Sequence, residues 1–215
     1  SWEIMAKTKI INPFITSCPS KIVLTVISLI KDGSLFKHLF ITLSETVIGF
    51  TSGTILGTIF AVILWLFPRF AKITDPYLVI LNSLPKVALG PIIIVWAGAG
   101  ISSILVMTLS ISLITTIIGV YSGFTQTQEE KITLLKTFGA TKKQILFKVV
   151  LPSSTVNIIN ALKINVGLSW VGVIMGEFLV SKAGLGYMIL YGSQVFNLDL
   201  VMSGIVVLSL VAGIM

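Results

Sequence analysis

Long apolar segments alternate with short polar segments along most of this chain. Apolar runs of about 20 residues or more occupy 38–67, 77–97, 101–124 and 155–178, and a further run begins near Asp199. A helix needs about 20 predominantly apolar residues to cross a hydrocarbon core of about 30 Å. The pattern therefore predicts an all-α fold, a polytopic transmembrane helical bundle with about five spans in this stretch and six expected in the full chain.

Prolines, glycines and polar residues interrupt the pattern at three places. A short polar loop is expected at 69–76, after the first span. In the second span, Pro85 and Pro91 each remove a backbone hydrogen bond, which predicts a break or a kink. The glycine-rich stretch 179–198 is too polar to span, so we expect a short re-entrant or surface segment there.

The first 37 residues do not follow the pattern, because apolar and polar residues are mixed there. The stretch 20–30 predicts one short amphipathic helix, which ends at residues 32–33 and is too short to span. We expect residues 1–37 to form an extracytoplasmic segment after a first span that precedes Trp2. Residues 38–215 are expected to form the transmembrane domain.

The composition agrees with a membrane protein. Hydrophobic residues make up 55% of the chain and charged residues only 11%, against roughly 25% charged in soluble domains. The net charge of +7 comes mainly from lysines between apolar segments, which favours anionic lipid over nucleic acid as the partner. One Cys and one His make a metal site unexpected, and we expect no cofactor bound by this chain.

The positive charges predict the orientation. The loop 69–76 carries Arg69 and Lys72, and the polar segment 125–154 carries five lysines. These lysines are Lys131, Lys136, Lys142, Lys143 and Lys148. The positive-inside rule therefore places both segments in the cytoplasm. The same alternation places 1–37 outside although it also holds five lysines, and a cytosolic N-terminal segment would instead place 125–154 outside.

The polar segment 125–154, called the elbow from here on, predicts two short helices joined at a glycine. The first covers 131–138 and ends at Gly139. Thr141 and Gln144 have the spacing of a capping box, which begins the second helix. The pair Leu151-Pro152 is expected to close that helix and start the turn into the membrane.

Leu134, Leu135 and Phe138 are predicted to form an apolar ridge on the elbow. Lys136, Lys142 and Lys143 flank it. An exposed apolar ridge with a charged rim is typical of a protein–protein contact. The alternative is an interfacial helix that rests on anionic headgroups.

The spacing in the elbow resembles the cytoplasmic-loop signature of permease subunits of ATP-binding-cassette (ABC) importers. That signature is Glu-Ala-Ala, three residues, Gly, nine residues and Ile-x-Leu-Pro. Aligned on Gly139, Leu151 and Pro152 match, and Val149 stands at the Ile position. The Glu-Ala-Ala positions hold the segment TLL at 133–135, without the acidic residue; an acidic residue lies one helical turn earlier.

Two further segments strengthen the resemblance, which covers about residues 38–215. The stretch NSLPKVALGPIIIVWAGAG at 82–100 is similar to the Pro-rich third span of permeases of the nitrate/sulfonate/taurine type. The stretch GEFLVSKAGLGYMI at 176–189 is similar to the segment that precedes their last span.

The resemblance implies an ABC-importer permease of the cell (inner) membrane that moves a small solute inward by alternating access. The solute would be a nitrate-, sulfonate- or taurine-like anion or a vitamin precursor. The implied partners are two copies of a cytoplasmic ATP-binding subunit, a second permease chain forming a homodimer, an extracytoplasmic solute-binding protein and the bilayer. ATP and Mg would be bound by the ATPase partner, because this chain has no GxxxxGK[ST] motif and is expected not to be an enzyme.

The resemblance also assigns residues to the contact with the ATPase. They are Thr133, Leu134, Leu135, Lys136, Phe138, Gly139, Ala140, Leu151 and Pro152.

Three ionisable residues in or near the predicted spans are candidates for the solute path or a gate. Lys86 and Lys163 could face an anion, and the alternative is that their long side chains reach the surface. Glu177 is expected at the outer end of its span, in a gate or in an interfacial pair with Lys182. The glycines at 49, 53 and 57 are expected to pack helices, and the asparagines at 157, 160 and 165 to join helices by hydrogen bonds.

The alternative function is a stand-alone secondary transporter or channel, which broken helices and intramembrane lysines also fit. Such a protein is expected to contain an inverted repeat, and the sequence shows none. A membrane enzyme ranks last, because the spans hold no Ser/His/Asp set, metal cluster or paired carboxylates in sequence.

Overall fold

The computed structural model describes residues 2–3 and 17–215, and every regular element in these ranges is helical. The helices are α1 (Pro19–Lys31), α2 (Ser34–Leu66), α3 (Pro68–Ser83), α4 (Gly90–Ala97), α5 (Ile101–Thr125), α6 (Glu129–Thr137), α7 (Lys142–Ile145), α8 (Leu151–Ser153), α9 (Thr155–Val180), α10 (Leu185–Gln194) and α11 (Leu198–Ile214). A 3₁₀ turn at Lys86–Leu89 precedes α4, and a π turn at Leu146–Val150 joins α7 to α8.

The long helices confirm the predicted all-α transmembrane bundle. Helices α2, α5 and α9, of 33, 25 and 26 residues, are long and apolar enough to cross a membrane. Helix α3 and the segment Lys86–Ala97 form a pair bent by 84°, which together would make a fourth span. The fifth predicted span corresponds to α11, a shorter apolar helix of 17 residues.

Helix α1 confirms the short helix predicted near the N-terminus. Pro19 lies in its first turn, where its missing N–H would have no partner in any case. After α1, Asp32 accepts hydrogen bonds from the Oγ of Ser34 at 2.6 Å and from its backbone N–H at 2.9 Å. These bonds hold the pKa of the Asp32 carboxyl below its ordinary value. Residues 4–16 of the predicted 1–37 segment lie outside the described residues.

Helix α5 is the centre of the bundle, between α2 and α9. Three glycines of α2, four residues apart, face three hydroxyl residues of α5 with the same spacing. The facing pairs are Gly49 with Thr108, Gly53 with Ser112, and Gly57 with Thr116. A Cβ on any of these glycines would lie 2.5 to 2.7 Å from the facing side chain. The predicted packing role of this glycine face is therefore confirmed.

The polar loop predicted at 69–76 is wrong, because α3 begins at Pro68 and runs through Pro76. Pro68 occupies the first turn, where proline is accommodated. Ala71 and Leu78, seven residues apart on one face, are buried against Leu64 of α2 and Ile117 of α5. This apolar contact between helices outweighs the polar residues on the opposite face.

The second predicted span is broken once rather than twice. Leu84 has an extended backbone, with φ −62° and ψ 137°. The residue before a proline commonly adopts this conformation, because the proline ring disfavours the helical one. Pro91 instead lies in the first turn of α4, where it needs no backbone donor. The chain therefore changes direction at 84–89, between α3 and α4.

Half of the stretch 179–198 forms the short helix α10, which agrees with the re-entrant alternative and not with a surface segment. Leu185 and Met188 of this short helix are buried against Leu35 of α2. Gly192 lies close to Val201 of α11, where a Cβ would come within 3.0 Å of its side chain. A helix too short and polar to span is thus held by its neighbours.

Candidate functional site

The elbow begins with α6, whose end is set by Gly139. Gly139 has φ +76°, a left-handed conformation that costs a residue with a Cβ about 1–2 kcal/mol. Its N–H donates to the carbonyl of Lys136 at 3.0 Å, and the Ala140 N–H donates to the carbonyl of Leu135 at 3.0 Å. These bonds satisfy carbonyls at the end of α6, which confirms that the glycine ends the first elbow helix.

The second elbow helix begins with the predicted capping box. The Thr141 N–H donates to Oε1 of Gln144 at 2.8 Å, and the Gln144 N–H donates to Oγ1 of Thr141 at 3.4 Å. The helical path continues through the π turn and ends at Ser153 in α8, one residue after Leu151-Pro152. This agrees with the expectation that the Leu-Pro pair closes the second elbow helix. Pro152 lacks an N–H and crowds the carbonyl four residues before it, and a wide π turn relieves this crowding.

The elbow is anchored to three spans by one apolar cluster. Ile145, Leu146 and Val150 are buried together with residues of α2, α5 and α9. These other members are Ala61, Val120, Phe124 and Ala161. Leu135, Ala140 and Leu151 are partly buried and pack against the same cluster. The elbow is therefore part of the bundle and not a loose loop.

Polar contacts add to this anchoring. The Lys142 ammonium donates to the carbonyl of Leu66, at the end of α2, at 3.5 Å. The buried Ser154 hydroxyl donates to the carbonyl of Gly123 in α5 at 2.9 Å. The first contact places the elbow at the same end of the bundle as the start of α3, as the charge pattern predicts.

The exposed part of the elbow differs from the predicted ridge in one residue. Leu134 on α6 and Phe138 just after its end are 57% and 77% exposed and lie four residues apart. Leu135 points inward to the apolar cluster, so the ridge consists of Leu134 and Phe138. Phe147, 66% exposed, was not singled out by the sequence, although the burial of its neighbours at 145 and 146 leaves it on the outer face. Among the other assigned residues, Thr133, Lys136 and Pro152 are exposed.

The two candidate lysines of the path have different surroundings. The half-buried Lys86 donates to the backbone carbonyl and to Oδ1 of Asn82, each at 3.3 Å. Lys163 is exposed on α9, beside a cavity of about 460 Å³ that Gly167 and Trp170 also line. No hydrogen bond or ion pair of the described residues joins Lys86, Lys163 and Glu177.

Glu177 lies inside a junction of three helices, not at an interface with water. It is completely buried, and its carboxyl accepts hydrogen bonds from Thr42 of α2 and from the Gly186 N–H of α10. The interfacial pair with Lys182 is therefore wrong, since α10 folds back over this carboxyl. The sequence reasoning missed Glu45 of α2, which is 3% exposed and faces Glu177. A buried carboxylate in an apolar span was the available signal.

Two of the three asparagines join helices as predicted. The amide of Asn165 in α9 donates to Thr54 of α2 at 2.9 Å. The amide of Asn157 donates to Gln126, at the end of α5, at 3.1 Å. Asn160 is exposed.

The class of protein follows from this geometry: a polytopic helical membrane protein with a rigid polar elbow at one end of its spans. The model of a protein family described as "Binding-protein-dependent transport system inner membrane component" matches residues 53–215. The chain belongs to this family, and it is the permease subunit of an ABC importer. Family membership implies an ATPase partner and a dimeric arrangement. The alternative function, a stand-alone secondary transporter or channel, is therefore not favoured.

Curated relatives agree with this assignment. The chain is 31% identical over 186 residues to the formylaminopyrimidine transport permease ThiX of Halalkalibacterium halodurans, covering 86% of this chain and 74% of the relative. It is 28% identical over 211 residues to the putative aliphatic sulfonates transport permease SsuC of Bacillus subtilis, covering 98% and 76%. The taurine transport permease TauC of Escherichia coli is 23% identical over 216 residues, covering 98% and 78%.

The fold is also similar to a solved structure. A chain of the methionine ABC transporter MetNI, in an inward-facing conformation, superposes with a TM-score of 0.75 at 19% identity. The match covers 82% of this chain and 88% of that chain.

Proposed function

We propose that this permease moves its solute inward by alternating access, with two copies of a cytoplasmic ATP-binding subunit docked on the elbows of a homodimer. ATP and Mg belong to those subunits, and this chain binds no cofactor and catalyses no reaction. An extracytoplasmic binding protein delivers the solute to the end opposite the elbow. The protein works in the cell membrane with the elbow in the cytoplasm.

The observation that carries the proposal is the combination of an exposed apolar ridge with a rigid support. Leu134 and Phe138 are open to a partner, whereas Ile145, Leu146 and Val150 of the same elbow are buried among three spans. A push on the ridge is therefore transmitted to α2, α5 and α9 without being absorbed by a flexible loop. Such a support is what coupling of ATP-driven closure to span movement requires.

The proposed solute is a sulfonate-type anion, with a pyrimidine vitamin precursor as the alternative. Relatives named for aliphatic sulfonates and taurine support the former, and the relative named for formylaminopyrimidine supports the latter. The exposed Lys163 beside its cavity is consistent with an anion, because a cation at membrane depth is costly unless it serves a ligand or a pathway. Lys86 and Glu177 remain candidates for the path or its gate.

Substitution at Gly139 tests the coupling role. Gly139→Val forces a β-branched residue into the left-handed region, which moves the ridge relative to α7. We expect the assembled transporter to lose most of the ATPase stimulation that binding protein and solute produce. The measurement is ATP hydrolysis by the reconstituted complex, with and without binding protein loaded with taurine, an alkanesulfonate or the pyrimidine.

Gly139→Asn is the matched control, because asparagine tolerates the left-handed region. It should retain the stimulation that Gly139→Val loses, and both variants should insert into the membrane equally. Full stimulation in Gly139→Val would exclude the coupling role of the elbow. Transport by the chain without an ATPase would instead support the stand-alone alternative.

A further inference from the structure

Two buried carboxyl groups meet where α2, α9 and α10 converge, at the end of the bundle opposite the elbow. Glu45 is 3% exposed and Glu177 is completely buried. Thr42, which donates a hydrogen bond to Glu177, lies one helical turn before Glu45 on α2, so the two carboxyl groups are neighbours. Carboxylates only accept hydrogen bonds, so these two groups can bond each other only if one of them carries a proton.

The donors around Glu177 favour it as the charged member of the pair. Its Oε1 accepts from the hydroxyl of Thr42 at 2.5 Å, and its Oε2 accepts from the Gly186 N–H at 2.5 Å. Gly186 and Tyr187 belong to the first turn of α10, where the helix dipole favours a negative charge.

The remaining N–H groups at the start of α10 are held by α2. The Leu185 N–H donates to Oγ1 of Thr42 at 2.7 Å, and the Gly184 N–H donates to Nδ1 of His38 at 2.9 Å. A Cβ on Gly184 or Gly186 would collide with the Glu177 carboxyl, so only glycine permits this approach. The start of α10 is thus tied to α2 and α9 by side chains that leave no spare donor for a second carboxylate.

The Oε2 atom of Glu45 has no such donor. It is buried and has no hydrogen-bond partner among the described residues. A second carboxylate in contact with Glu177 would be both desolvated and repelled. A protonated Glu45, by contrast, donates one hydrogen bond to Glu177 and carries no charge.

We propose that Glu45 and Glu177 form a proton-binding site, in which Glu45 holds the proton and donates it to the Glu177 carboxylate. One bound proton lets the pair carry a single negative charge, which the start of α10 offsets. The proton thereby fastens α2 to α9 and α10. The inference does not depend on which solute is transported.

Other titratable groups lie near the pair, and their effects must be distinguished from the effect of the pair. They are His38 on α2, Lys182 in the turn before α10, and Tyr187 on α10, whose ring stacks on that of His38 at 6.1 Å between centroids. Nδ1 of His38 accepts a hydrogen bond, so this ring nitrogen carries no proton. The glutamine variants of Glu45 and Glu177 leave all three groups in place.

Paired glutamine variants of the full transporter test the assignment. Glu45→Gln places an amide N–H where the site needs a donor, so its Tm at pH 7 should stay within about 2 °C of the wild type. Glu177→Gln places an N–H against an existing donor, so its Tm should fall by about 4–8 °C. Raising the pH to 9 should lower the Tm of the wild type more than that of Glu45→Gln, because only the wild type can lose the shared proton.

Infrared spectroscopy gives a second measurement, the carboxylic-acid C=O stretch, which a change in packing alone would not remove. The wild type should show a carboxylic-acid C=O stretch at pH 7 that is absent from Glu45→Gln. If Glu45→Gln fails to fold, the absence of such a band from the folded wild type still overturns the proposal. Stability of Glu177→Gln with loss in Glu45→Gln would place the proton on the other residue and also overturn it.

Discussion

At the scale of single residues, glycines in α9 differ according to what faces them. A Cβ on Gly172 would lie 2.6 Å from Cα of Thr108, which is backbone of the central helix α5 and cannot rotate away. Gly167, on the same helix, has no atom within 4 Å of the position that a Cβ would take. One glycine therefore sets the distance between two spans, and the other does not.

We expect Gly172→Ala to destabilise the protein and Gly167→Ala to leave it unchanged or stabilise it. Alanine gains about 0.5–1 kcal/mol over glycine inside a helix, but overpacking against α5 costs about 1–3 kcal/mol. The net loss at Gly172 should appear as a lower Tm of the purified chain in detergent. Equal Tm values for the two variants would contradict the close packing of α5 against α9.

Rules that depend on neighbours in sequence predicted the local roles of some residues, but not the direction of every side chain. Gly139 and the pair Thr141 and Gln144 have roles that depend only on neighbours in sequence, and the structure confirms them. The inward direction of Leu135 depends on the ends of spans far away in the chain. No pattern within the elbow distinguishes it from Leu134, so the predicted ridge included both.

At the scale of elements, the elbow combines an exposed face with a buried one. Phe138, which follows α6, is 77% exposed, whereas Leu146, which follows α7, is 1% exposed. The sequence predicted two helices joined at a glycine and the end of the second at Leu151-Pro152, but not the π turn within it. The end of this second helix attaches the elbow directly to the start of α9.

Phe138→Ala should weaken the complex with the ATPase subunit, because a large apolar anchor contributes disproportionately to an interface. A loss of about 1.4 kcal/mol corresponds to a tenfold lower affinity, which we expect as a minimum. The measurement is ATPase retained on the tagged permease as a function of ATPase concentration.

Phe196→Ala is the matched control, since Phe196 is 73% exposed and lies after α10, away from the elbow. It should bind the ATPase as the wild type does. A similar loss in both variants would point to general destabilisation, and no loss in Phe138→Ala would exclude the ridge as the docking contact.

At the scale of the whole molecule, the two ends of the bundle carry different structural features. The elbow and the start of α3 share one end, where Lys142 contacts the end of α2. The opposite end holds the carboxyl pair and a cavity of about 440 Å³, lined in part by Glu45, Gly100 and Lys182. The charge pattern assigns the elbow end to the cytoplasm.

Single-cysteine labelling tests this orientation, because Cys18 is the one cysteine of the chain and can be replaced by serine. In that background, Lys182→Cys should react with a membrane-impermeant maleimide in intact spheroplasts. Lys143→Cys, equally exposed but on the elbow, should react only after lysis. The reverse pattern would place the elbow outside and contradict the positive-inside assignment.

The sequence by itself determined the three long spans α2, α5 and α9, the glycine end of α6 and the capping box of α7. These features follow from hydropathy and from hydrogen bonds between near neighbours. It did not determine that 69–76 is helical, because burial of Ala71 and Leu78 between α2 and α5 decided this.

Only the tertiary structure brought Glu45 and Thr42 to Glu177. Thr42 and Glu177 are separated by 135 positions in the chain, and their hydrogen bond exists because glycines let α2, α9 and α10 approach closely. Glu177, which the sequence predicts at the outer end of a span, is thus one member of a buried pair of carboxyl groups. Burial removes the water that would otherwise solvate both charges, which favours one shared proton over two carboxylates.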